Sequence, residues 1–122
     1  MKYMLLIYMA ENAQSDSERE HCYQESTAFA HELQAKGQLL ATSPLQPVST
    51  STSVRVRDGK RLVTDGPYAE TREHLGGYFM VDVANLDDAI GIAGRIPGAR
   101  VGTVEIRPVL EIPNLPPMGG RQ

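Results

Sequence analysis

The chain is poor in the residues that staple, anchor or strongly charge a fold. It has one cysteine, Cys22, no tryptophan, two Phe and five Tyr in 122 residues. A single thiol closes no internal disulfide, and neither a CxxC pair nor a Cys/His cluster of zinc type occurs. That usage suits a reducing compartment, so a cytoplasmic setting is expected. No stretch approaches the roughly 20 apolar residues needed to cross a bilayer, so no membrane role is expected. Net charge is slight: 12 Lys+Arg against 15 Asp+Glu leave −3, which excludes a broad basic footprint for nucleic acid. There is no Walker A loop and no GxGxxG after a strand, hence no support for a nucleotide cofactor. The five methionines lack metal-ligand spacing, and Asp87-Asp88 reads as a helix cap before it reads as a metal site. No cofactor and no metal are expected.

What is present is a chain of single-domain length, able to bury roughly two-thirds of its unfolded surface. Residues 2–9 place Tyr3, Leu5, Ile7 and Met9 on one face and Met4, Leu6 and Tyr8 on the other. This predicts a first strand covered on both faces. It does not read as a signal peptide, because acidic and polar residues follow at once without a small-x-small cleavage site. Ser15 with Glu18 forms a capping box, and the helix it starts runs to about Lys36, stopping at Gly37. Its inward stripe is Cys22, Ser26, Phe29, Ala30 and Leu33. A strand is expected near 38–41, ended by Pro44 and Pro47. The Ser/Thr tract 49–53 then leads into a basic hairpin turned at Asp58-Gly59, with Arg55, Arg57, Lys60 and Arg61 along it. A polar loop over 65–75 precedes a strand over 76–83. Asn85 caps a second helix whose stripe is Leu86, Ala89, Ile90, Ala93 and Ile96, with Gly91 and Gly94 attributed to close helix–sheet approach. A last strand spans about 103–110. Residues 1–110 form the domain; 111–122 are a Pro/Gly-rich tail, either disordered or laid across a partner.

The order β-α-β, hairpin, β-α-β predicts an α+β fold of ferredoxin-like type with a mixed or antiparallel sheet. Both helices then lie on one sheet face, and the other is left apolar and bare. A soluble monomer rarely shows such a patch, so a homodimer closed through that face is expected.

The strongest local signal is Asp65-Gly66-Pro67-Tyr68-Ala69-Glu70-Thr71-Arg72-Glu73-His74-Leu75-Gly76-Gly77-Tyr78. Asp65-Gly66-Pro67 is a tight turn, which either merely positions the next strand or closes a pocket at the sheet edge. The segment resembles the DGPF signature of the DGPF-domain proteins within the YCII-related group. Met1–Tyr8, Thr52–Val56 with Asp58-Gly59, and Gly102–Val109 are similar to further parts of that family, so the resemblance covers about residues 1–110. Tyr68 stands where the family has Phe and Arg72 where Lys is usual. The resemblance implies a dimeric α+β-barrel architecture. It also implies the functions met in the group, most of whose members have no assigned activity. One branch dehydrochlorinates an aromatic ring, and other members accompany extracytoplasmic-function sigma factors in a regulatory or sensing role. YCII-related proteins are credited with a His–Asp pair whose His lies on the first helix. In register that position is Ser26, and neither His21 nor His31 replaces it, so the pair is not carried over.

Two functional readings follow. In one, the protein is a small-molecule-binding dimer of regulatory kind. In the other, it is a small-molecule enzyme, an acid–base lyase or dehydrochlorinase-like protein. There His74 with Asp65 is the candidate catalytic set, Glu70 an alternative carboxylate, and Tyr68, Glu70, Thr71 and Arg72 are ligand-binding. The enzyme reading requires those side chains to converge on one pocket. His21 and His31 are expected on a solvated helix face, and Cys22 as a small buried hydrophobe.

Overall fold

The computed structural model describes residues 1–117 of the 122. The remaining tail residues, 118–122, lie outside the described residues. Strand β1 (Lys2–Met9) is followed by helix α1 (Asp16–Ala35), strand β2 (Leu39–Pro44), the hairpin strands β3 (Thr52–Arg57) and β4 (Lys60–Asp65), strand β5 (His74–Asp82), helix α2 (Leu86–Arg95) and strand β6 (Thr103–Pro108). Short 3-10 turns at Val48–Thr50 and Pro97–Arg100 lead into β3 and β6. The main sheet is antiparallel in the order β2-β5-β1-β6, and β3–β4 form a separate two-stranded ribbon. This is a ferredoxin-like α+β arrangement, with β1 and β5 at the centre of the sheet.

Local chemistry sets most of the boundaries. Ser15 accepts from the Glu18 amide while Glu18 accepts from the Ser15 amide, which gives α1 its N-terminus. Lys36 caps the helix, and Gly37 at φ 71° turns the chain. Asn85 accepts from the Asp88 amide to start α2. At the hairpin tip Asp58 and Gly59 have φ of 52° and 72°, the paired left-handed residues of a two-residue turn.

The core is one layer between the helices and one sheet face. Tyr3, Leu5, Phe79, Val81 and Val83 pack against Phe29 and Leu33 of α1 and Ala89, Ile92, Ala93 and Ile96 from α2 and its end. Between the helices Arg95 clamps Glu32, Nη2 donating to Oε1 at 2.8 Å, and lies 4.4 Å above the Phe29 ring. The opposite sheet face shows Met4 beside Met80 and Leu6 beside Tyr78, with Tyr8 beyond, all partly exposed and uncovered by any helix of the described residues.

Strand β2 stops at Pro44, the first of the two prolines expected to end it, with Pro44 opposite Gly77 of β5. Three expectations change. Strand β5 begins at His74, so His74 and Leu75 are ladder residues opposite Met9 and Tyr8. The α2 stripe is rotated: Ile92 is buried, whereas Leu86 and Ile90 are about half exposed. Gly91 and Gly94 face open space, so close helix–sheet approach does not account for them.

Candidate functional site

Side-chain size along α1 decides where the molecule is hollow. The inward stripe carries the small residues Cys22, Ser26 and Ala30 at four-residue steps, and beside them the large Phe29 and Leu33 in the C-terminal half. The large residues are buried and hold that half on the sheet; the small ones are only half-buried. Beneath them lies a cavity of about 620 Å³, roofed by α1 and floored by the ends of β1, β2 and β5. That size falls in the range of small-ligand sites, roughly 300–1,000 Å³.

The opposite wall is made by close backbone approach. A Cβ on Gly77 would stand 3.0 Å from the Ser43 carbonyl oxygen and 3.2 Å from Pro44 Cα, so glycine lets β2 run against β5. The Leu45 amide then donates to the Gly76 carbonyl at 2.8 Å, drawing the 44–47 segment over the opening. Glu11 accepts from the Val48 amide at 2.7 Å and ties the loop after β1 to the same segment.

The wall is largely apolar, with Ile7, Met9, Ala30, Leu45 and Phe79 contributing. Its charged members are engaged locally: Glu11 as above, and Arg19 with Asp16 at 3.0 Å. The remaining polar groups are neutral hydroxyls and amides, Ser26, Thr27 and Gln46 among them, and the imidazoles of His31 and His74. Ser26, in the register of the family's helix histidine, therefore faces the cavity.

His74 has a defined hydrogen-bond direction. Thr71 Oγ1 donates its one proton to the Glu73 carbonyl at 2.6 Å and stands 3.3 Å from His74 Nδ1. With its proton committed, that hydroxyl can only accept, so Nδ1 is the nitrogen that donates to it. In the neutral ring this tautomer makes Nε2 the acceptor.

Of the candidate residues, the structure brings together His74 and Thr71. Asp65 closes β4 and is exposed, Glu70 and Arg72 are exposed in the 66–73 loop, and Tyr68 is 80% exposed. None of these four, nor Thr71, is part of the cavity wall. Convergence of Asp65, Tyr68, Glu70 and Arg72 with His74 on one pocket is thus absent from the fold. The loop after Gly66 runs outward instead, and Glu73, 3.4 Å from the Thr103 hydroxyl, is its link back to the sheet. His31, expected on a solvated face, is exposed yet borders the cavity, while His21 is exposed 3.5 Å from Glu25. Cys22 is half-buried and accepts from Gln14 at 2.8 Å. Tyr23, Thr27 and His31, and Cys22, Ser26 and Ala30, recur at four-residue steps. That double stripe of small and polar residues was the available sign of the cavity roof.

Among the described residues no group of three or more His, Cys, Asp or Glu is placed to hold a metal ion, and no helix is long and apolar enough to cross a membrane.

The fold and cavity define a class: a small ferredoxin-like α+β protein with a largely apolar pocket between its first helix and its sheet. The chain matches the YCII-related domain over residues 1–113, and it belongs to that family. It is also 32% identical over 114 residues to an uncharacterised protein of Rhizobium meliloti (strain 1021), covering 89% of this chain and 92% of that one.

Proposed function

We propose that the protein is a cytoplasmic small-molecule-binding homodimer whose ligand is a compact, mainly apolar molecule carrying a hydroxyl or carboxyl group, such as a phenol or aromatic acid. The observation that carries this reading is the 620 Å³ cavity, with its apolar wall and its few hydroxyl and imidazole groups. Apolar walls supply most of the affinity, and a few polar groups fix orientation. Dimerisation through the uncovered sheet face is supported by Met4, Leu6, Tyr8, Tyr78 and Met80, which form a contiguous partly exposed patch. A regulatory or sensing role beside sigma-factor systems rests on the DGPF-like segment at 65–78 and extends the same reading, with ligand occupancy as the signal.

The test is a thermal-shift screen of phenols and aromatic carboxylic acids on the full chain, repeated on Ser26→Phe, which fills the cavity roof. A ligand at 100 times its dissociation constant stabilises the fold by about 2.7 kcal/mol, several degrees in a domain of this size. A hit that shifts the wild type and not Ser26→Phe supports the reading. Equal shifts in both, or none across the screen, would refute it.

One observation favours a second, enzymatic reading: the Nδ1–H tautomer of His74 leaves Nε2 as a base in the cavity wall. It predicts turnover of halogenated or hydroxylated aromatics that His74→Ala abolishes and His74→Gln does not restore. Binding without turnover in the wild type leaves the sensing reading in place and removes the catalytic one.

A further inference from the structure

Among the described residues the β3–β4 ribbon pairs with no other strand. Its base is pinned where the Gly66 amide donates to the Ser51 carbonyl at 2.7 Å and Ser53 Oγ donates to the Gly66 carbonyl at 2.8 Å. Beyond that base every strand residue is exposed. A free two-stranded hairpin is at best marginally stable in water, so a ladder of this length calls for something to lie against.

The register shows that the ribbon has two unlike faces. Directly opposed residues of an antiparallel pair share a face, and successive residues alternate. One face carries the rows Thr52/Asp65, Val54/Val63 and Val56/Arg61; the other carries Ser53/Thr64, Arg55/Leu62 and Arg57/Lys60. The second is a basic face suited to water. The first is a valine face, with Val54, Val56 and Val63 at 59%, 61% and 58% exposure. An exposed β-branched ribbon face is an aggregation hazard unless it is covered in the working molecule.

The charges flanking the valines identify the cover. On that face Asp65 stands at the base and Arg61 toward the tip, two rows apart, about 13 Å at the usual strand rise. A two-fold axis through the central Val54/Val63 row sets one copy's valine face on another's. The same rotation brings Arg61 of each copy against the partner's Asp65. The face is therefore self-complementary in the order of its rows and in charge, as an isologous contact requires.

We infer that the β3–β4 ribbon is a dimerisation arm whose valine face packs on the same arm of a second copy, with Arg61 and the partner's Asp65 paired at both ends. Three valines a side fall short of the roughly 800 Å² per partner of a standard interface, so the arm extends the sheet-face dimer and rests on that reading. The basic face then remains outward on both sides of the joined arms.

Sedimentation velocity on the full chain at low salt decides it, with Arg61→Asp, Asp65→Arg and the double variant; both positions are exposed in the single chain, and far-UV circular dichroism confirms folding. Each single reversal creates two like-charge contacts per dimer and weakens dimerisation about tenfold or more. The double variant restores it. A wild-type dimer that both single variants leave unchanged overturns the arm while the sheet-face dimer stands. Weakening without rescue in the double variant overturns the arm-on-arm pairing. A monomeric wild type overturns both readings, and Leu6→Asp separates them further by dissociating a sheet-face dimer while leaving the arm's charges intact.

Discussion

Two glycines, four residues apart, offer a matched test of how the packing is built. Neither Gly98 nor Gly102 has a positive φ, so alanine is conformationally acceptable at both and only space decides the outcome. A Cβ at position 102 would lie 2.0 Å from the Tyr8 carbonyl oxygen and 2.8 Å from Met9 Cβ. A carbon–oxygen contact needs about 3.3 Å, so backbone must move by about 1.3 Å where β6 begins to pair with β1. A Cβ at position 98 would lie 2.6 Å from Ile7 Cγ2 and 3.2 Å from Met9 Cε. Both of those atoms belong to side chains that border the cavity, so they can swing into open volume. Overpacking costs about 1–3 kcal/mol, which places Gly98→Ala near about 1 and Gly102→Ala near about 3 kcal/mol. At roughly 4 °C per kcal/mol for a domain of this size, the melting temperature falls by about 4 °C and about 12 °C respectively. Thermal unfolding at one fixed protein concentration reads both, since dimerisation would make the midpoint concentration-dependent. If Gly98→Ala costs as much as Gly102→Ala, the space beside Ile7 and Met9 is not free and the cavity assignment is unsound.

Other outcomes follow from single contacts. Ser15→Ala removes the reciprocal cap of α1 and lowers stability by about 1 kcal/mol, measured by urea unfolding. Leu33→Ala, at a side chain 1% exposed against the sheet, costs about 2–5 kcal/mol in the same assay. Hydrogen bonds from Arg95, and more weakly from Lys36, hold the Glu32 carboxyl down at about 2 from 4.5. A carboxyl depressed on folding adds stability that is full above the unfolded value and is lost as pH falls from 4.5 toward 2. The melting-temperature difference between wild type and Glu32→Gln should therefore shrink as pH is lowered through that window; a gap constant from pH 7 to pH 2 contradicts the assignment.

Much of the fold was legible because its determinants are local. Ser15 with Glu18, Gly37, Asp58-Gly59 and Asn85 act within a few residues of themselves, and each sits where the expected helix end or turn falls. The α1 stripe was legible too, since it follows from helical period alone. The α2 face was misjudged because Leu86, Ile90 and Ile92 are all apolar, so hydropathy does not choose among rotations of a ten-residue helix. The candidate site was read in part. His74 was singled out for its charged neighbours, but what gives it a site is the cavity beside β5, while Asp65, Tyr68, Glu70 and Arg72 stay outside. Chain proximity placed those residues together; the outward course of the 66–73 loop separates them from the hollow.

The sequence alone determined the number, kind and order of the elements, the family, and the single-domain scale, because caps, turns and periodicity are short-range properties of a chain. Tertiary structure decided the rest. It set the hollow under the small residues of α1, because Phe29 and Leu33 hold only one end of that helix on the sheet. It set the start of β5 at His74, because pairing with Met9 extends the ladder. The low cysteine count now has a plainer sense as well: Cys22 is one of the small side chains that leave the cavity open, and the core is held by both helices packing on one sheet face.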